Sequence, residues 1–188
     1  ITSTIFNTIK FGLGDNINKT PYTSLEIVAH EYSHLVIVNN SSINSLNLAL
    51  SDNVGALNEG LADIFGVSID FAFNTTANWL IGEKVFVNGK YSRSMEDPKT
   101  SVLANNDRGS DTYDDWYWQN YNTLTNKIYV RATVIGKWFY LLSHGGNGSN
   151  AFSEPFTVSA IGIDDAASIV YDALPRLPFY INGYDAFQ

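Results

Sequence analysis

Cysteine is absent from this chain. That excludes disulfides, thiolate metal sites and a cysteine nucleophile, so any transition metal here must be held by histidine and carboxylate. Charged residues are scarce as well, at 16% of the 188 positions, and the basic ones are scarcest. Only 11 Lys and Arg stand against 19 Asp and Glu, which gives a formal net charge of −8. A duplex nucleic-acid binder needs a basic face to displace counterions, and a sequence pI near 4.6 argues against one. No apolar run approaches the roughly 20 residues of a membrane-spanning helix, and nothing at Ile1 resembles a signal peptide. Neither absence excludes secretion, because mature secreted chains lose their leaders. What is present is apolar: 45% hydrophobic and 14% aromatic residues, too little charge and too much hydrophobicity for disorder. The length suits one domain with a sizeable core. Of the three histidines, two lie four residues apart.

The pattern along the chain predicts an α+β class in which helices dominate. Residues 1–11 read as strand, with Ile5, Ile9 and Phe11 in rough alternation, and the turn-rich residues 12–18 end it. A first helix is expected from about Thr23, where Thr23 and Glu26 have capping-box spacing. Leu25, Val28, Ala29, Tyr32 and Leu35 form its expected buried face. A second helix is expected over 56–73, with Leu57, Leu61, Ile64 and Phe65 at helical spacing. Residues 76–119 read as loop with a short strand at 84–87. A third helix over 130–143 is closed by Gly145 and Gly146, and a fourth spans 164–174, ahead of Pro175.

His30-Glu31-Tyr32-Ser33-His34 is an HExxH sequence inside the first predicted helix. Histidines at i and i+4 share a helical face, so both imidazoles can reach one ion, and Glu31 between them lies close enough to act on a water there. The plainer reading is a helix with two ordinary histidines and a surface glutamate. Against it stands the second helix, which offers Glu59 as a third ligand and Asp63 one turn later on the same face. A catalytic zinc takes three protein ligands and keeps an open position. Asp63 could accept a hydrogen bond from the far nitrogen of a ligand histidine and so fix its tautomer.

Six ordered blocks carry a wider likeness: residues 27–34 (IVAHEYSH), 55–66 (GALNEGLADIFG), 79–83 (WLIGE), 93–98 (RSMEDP), 140–146 (YLLSHGG) and 162–171 (GIDDAASIVY). With them the chain resembles the thermolysin-like zinc metalloendopeptidases, of the gluzincin group. The resemblance implies a zincin catalytic core that hydrolyses peptide bonds with a glutamate-activated water. It implies His30, His34 and Glu59 as zinc ligands, Glu31 as general base and Asp63 as the partner of His30. Arg93 and Asn58 would bind substrate, and residues 3–6 would form the edge along which a peptide lies. It further implies a secreted enzyme whose partners are peptides or proteins, with neither nucleic acid nor membrane involved. Residues 1–188 are expected to be a single catalytic domain: 1–20 a strand remnant of the family's β-rich lobe, 21–188 the helical part. Both ends are expected to be truncated, with the N-terminal lobe or a propeptide missing.

The likeness breaks at several family positions. The histidine expected before the third helix reads Tyr129, its neighbouring Asn-Ser pair reads Arg131-Ala132, and the aspartate orienting it reads Leu124. A family tyrosine upstream of the Glu59 block aligns with Leu50. Tyr129 could itself donate to an oxyanion, or it could simply pack a helix start. Losing both donors would leave either a slow enzyme or a zinc-binding pseudoprotease with a binding role. The resemblance also implies calcium near the zinc, with Glu26, Asp70, Asn78 and Glu83 at matched positions for one ion and Leu80 where a further carboxylate stands. The aromatic run of residues 113–118 suggests a third reading, a carbohydrate-binding surface.

Overall fold

The computed structural model describes residues 3–5, 8–43, 52–103 and 106–177. Its frame is helical. Helix α1 spans Leu25–Asn40, α2 Asp52–Phe73, α3 Trp116–Gln119, α4 Leu124–His144 and α5 Ile163–Ala173. Among the described residues six short strands pair as three antiparallel two-stranded units: β1 Ser3–Ile5 with β2 Thr8–Lys10, β3 Leu80–Ile81 with β4 Arg93–Ser94, and β5 Gly146–Ser149 with β6 Pro155–Val158. Among the described residues no helix is long and apolar enough to cross a membrane.

Helix α2 is the centre of the packing. It lies against α1 on one side and α4 on another, and its buried residues include Leu57, Leu61, Ile64 and Val67. Around them close Ile27 and Ile37 of α1, Ile135 and Phe139 of α4, and Ile81, Val85 and Met95 from the connecting segment. Trp79 packs among Phe71, Phe139 and Tyr140, tilted to the first and edge-to-face with the other two, with ring centroids 4.8, 6.2 and 5.1 Å away. Burying rings of this size supplies much of the packing in such a core. Helices α1 and α2 approach so closely that a Cβ on Gly66 would sit 2.6 Å from the Glu26 carbonyl oxygen. Only glycine allows that crossing, and it brings the faces bearing His30 and Glu59 together.

Several element expectations need correction. The capping box is not formed: Ser24 precedes α1, and its hydroxyl bonds the Glu26 carboxylate at 2.7 Å instead of a backbone N–H. The buried face of α1 is Glu26, Ile27, Ala29, His30, Glu31, Ser33 and Ile37, while Leu25 and Tyr32 are exposed. The helix turns its chemistry inward, which overrides the apolar pattern. Helix α2 starts four residues before the expected Ala56. No strand forms at 84–87; the pairing there is Ile81 with Arg93, and Phe86 makes a single bridge to Lys19. Helix α4 begins at Leu124, where Thr123 caps it by accepting from the Asn126 N–H at 3.1 Å. Tyr129 therefore lies inside this helix and not ahead of it. Within the strand expected over 1–11, the described residues form two antiparallel strands, β1 and β2, and α3 and the β5–β6 hairpin interrupt segments without predicted structure.

Candidate metal centre

Helix geometry puts His30 and His34 one turn apart on α1, and α2 brings Glu59 opposite them. His30 Nε2 lies 3.2 Å from His34 Nε2. Glu59 oxygens are 3.4 Å from His30 Nε2 and 3.7 Å from His34 Nε2. Ligands of a tetrahedral zinc at about 2.0–2.1 Å stand roughly 3.3–3.4 Å apart, so the two imidazole nitrogens and the two Glu59 oxygens, each facing one of them, lie close to the spacing that such an ion demands. Among the described residues this is the one group of three histidine or acidic side chains whose ligand atoms fall within 4.8 Å of one another. The donor set, two imidazoles and one carboxylate, is the kind that takes zinc with an open position.

Each imidazole is held from behind. His30 Nδ1 is 2.8 Å from Asp63 Oδ1, and His34 Nδ1 is 2.9 Å from the Asn58 amide. Both rings therefore present Nε2 to the common point. Asn58, expected at substrate, is in the structure a support for His34; its neighbouring position to Glu59 gave no hint of where its amide would turn. Asp63 also receives Arg93 through two bonds, Nε to Oδ2 at 2.6 Å and Nη2 to Oδ1 at 2.7 Å. Strand β4 delivers Arg93 to this place by pairing with β3 beside α2. Arg93, Asp63 and His30 are all buried. Sequence reasoning missed the Arg93–Asp63 pair, since 30 residues separate them and no local pattern links the two.

The electrostatics favour a cation. Glu31, Glu59 and Asp63 bring three carboxylates against one guanidinium, so neutral imidazoles leave a surplus of two negative charges. Burial works against charge on His30, but the Asp63 and Glu59 carboxylates outweigh it and push its pKa up to about 9. His34 moves the other way, lowered first by burial and further by its charged neighbour His30. Burial would raise the carboxyls of Glu59 and Asp63, yet His30 and Arg93 hold both below the usual range. Tyr129 is half-buried, and its ring lies under the Arg93 guanidinium at 5.3 Å. The Glu59 charge, with burial, pushes its hydroxyl up to about 12, so the phenol keeps its proton. Glu31 is buried on the same helix face, and its charge acts on both His34 and Tyr129.

Other expected residues stand apart. Leu50 and Phe6 lie outside the described residues, and of Leu124 only the helical backbone is described. Arg131 turns away to Asn53, at 2.6 Å, and over the Trp118 ring at 4.5 Å. The aromatic run is partly consumed internally: Trp118 is buried and Asp115 caps α3, although Tyr113 and Trp116 are exposed. The expected calcium ligands fall into two pairs, Glu26 with Asp70 around Lys84 and Asn78 with Glu83. Asp70 is bonded to Lys84 at 2.9 and 3.2 Å, and Asn78 bonds Glu83 at 2.7 Å. A sequence signal for Lys84 existed: a lysine directly after Glu83, with Leu80 at an acidic position.

Three long helices around an HExxH pair and a downstream glutamate define a metallopeptidase helical domain. A family model described as "Thermolysin metallopeptidase, alpha-helical domain" matches residues 46–186, and the chain belongs to that family. It is 31% identical over 167 residues to a bacillolysin of Bacillus cereus, covering 87% of this chain and 26% of that protein. It is 30% identical over 169 residues to a thermolysin of Alicyclobacillus acidocaldarius, covering 87% and 28%. The chain thus spans little more than a quarter of these relatives. The precursor of protealysin, a metalloproteinase from Serratia proteamaculans, shares the fold. Its TM-score is 0.68 at 23% identity, over 96% of this chain and 54% of the other. The family implies zinc, and the His30–His34–Glu59 group is where it would be held.

Proposed function

We propose that this chain is the catalytic portion of a secreted zinc endopeptidase. The observation that carries the reading is the convergence of His30, His34 and Glu59 at ligand spacing beside the buried Glu31. His30, His34 and Glu59 would hold the zinc; bound there, it would supply Lewis acidity and lower the pKa of a water. Glu31 takes the proton from the attacking water at its carboxylate and passes it to the departing amine. Asp63 and Asn58 keep the two imidazoles oriented. Arg93 commits Nε and Nη2 to Asp63, and its Nη1 would be the nitrogen to donate to a substrate carbonyl. A peptide would run along β1, on the edge not paired with β2. Tyr129 donates its hydroxyl to the oxyanion in place of the family histidine.

The test is hydrolysis of a blocked peptide by the chain, abolished by chelator and restored by zinc, with Glu31→Gln retaining zinc and losing all turnover. Cleavage by Glu31→Gln at the parent rate would sink the mechanism. A second reading rests on Tyr129 and Leu124 replacing the family's histidine and aspartate. It makes the chain a zinc-holding pseudoprotease with an interaction role, and bound zinc without detectable hydrolysis would favour it.

A further inference from the structure

One turn before His30, Glu26 is buried at 2% exposure in the first turn of α1. Its Oε1 accepts from Ser24, while Oε2 is buried without a hydrogen-bond partner. Facing it on α2 is Asp70, at 4% exposure, which accepts from Asn74 at 3.1 Å. Two buried carboxylates facing each other require positive charge nearby. Lys84 brings it: its Nζ lies 2.9 and 3.2 Å from the two Asp70 oxygens and 4.0 Å from Glu26 Oε2.

We propose that the Lys84 ammonium is the resident cation of this cluster, so the chain neither needs nor binds calcium there. Calcium would take the same carboxylate oxygens at about 2.3–2.6 Å, the space Nζ fills, and would be repelled by the ammonium. The rest of the expected ligand set is spent elsewhere. Asn78 turns its amide nitrogen to Glu83 Oε1 at 2.7 Å and its Oδ1 to the Leu80 N–H at 2.9 Å. Leu80 itself brings no oxygen. The backbone at Lys84 is anchored, with Val85 fully buried and the Thr20 hydroxyl donating to the Lys84 carbonyl at 3.2 Å, while the lysine side chain reaches the two acids from the surface at 32% exposure. A tethered ammonium clamps α1 to α2 without a dissociable ion, so mass action by calcium adds nothing to stability.

This inference goes beyond the peptidase reading and does not depend on turnover. The chain is freed of calcium on a chelating resin, reloaded with zinc, and melted with and without about 10 mM calcium chloride. The parent melting temperature should move by less than about 1 °C, since an ion that does not bind the native state adds no stability. Lys84→Gln, which leaves two buried acids without their cation, should lower it by about 4–8 °C. Calcium should return part of that loss, with terbium luminescence reporting a site that the parent lacks. A parent that gains several degrees with calcium, or that gives the terbium signal itself, overturns the proposal; so does Lys84→Gln melting like the parent. Should the variant fail to fold, the parent titration alone decides.

Discussion

Asp63 joins two tasks in one carboxylate, and separating them is the most demanding test of the site. It orients His30 at 2.8 Å and neutralises Arg93 through two bonds of 2.6 and 2.7 Å, with all three side chains buried. Asp63→Ala removes both. The orphaned guanidinium should cost about 3–5 kcal/mol of stability measured without metal. For a chain of this size that corresponds to a fall of about 6–20 °C in melting temperature. The freed imidazole should weaken zinc binding by about 10–100-fold, or about 1.4–2.7 kcal/mol. The pair Asp63→Leu with Arg93→Met replaces both charges by apolar groups of similar volume, so it should recover most of the stability. It cannot recover the zinc affinity, because nothing then accepts from His30 Nδ1. Chemical denaturation of the metal-free proteins measures the first quantity, and competition with a chromogenic zinc chelator the second. Unchanged affinity in Asp63→Ala, or affinity regained in the pair, would refute the orienting role.

Two further outcomes follow from the geometry. Removing only the hydroxyl in Tyr129→Phe leaves the ring under Arg93 and should lower kcat by about 10²–10³-fold with little change in KM; an unchanged kcat would exclude the tyrosine as oxyanion donor. Gly66→Ala would drive a methyl to 2.6 Å from the Glu26 carbonyl oxygen. It should lower the melting temperature by about 2–12 °C, as read by circular dichroism, and a neutral result would mean that α1 and α2 separate without cost.

How much of this could be read from residues alone differed by the kind of signal. The His30–His34–Glu59 group was legible because helical periodicity is a short-range rule: His30 and His34 at i, i+4 must share a face. Glu59 and Asp63, one turn apart, had to face the same way. The four longer helices were legible but the four-residue α3 was not, and α4 begins at a cap, Thr123, that lies seven residues before the expected start at Val130. The buried face of α1 was misread for a physical reason. Periodicity assumes that apolar side chains turn inward, and here the inward face carries Glu26, His30 and Glu31, while Tyr32 faces solvent. Contacts between distant segments left no local trace. Arg93 on Asp63, Asn58 behind His34 and Lys84 between Glu26 and Asp70 are all set by how helices and loops dock. Only Lys84 was hinted at, as a base directly after Glu83 in a stretch where Leu80 stands at an expected carboxylate position.

The central claim is that His30, His34 and Glu59 act together as one metal site, and zinc stoichiometry tests it directly. Elemental analysis of chain purified without chelator should find one zinc per molecule, falling to background in His30→Ala and in Glu59→Ala while both variants keep their helical content. Equal zinc in parent and variants would contradict the account.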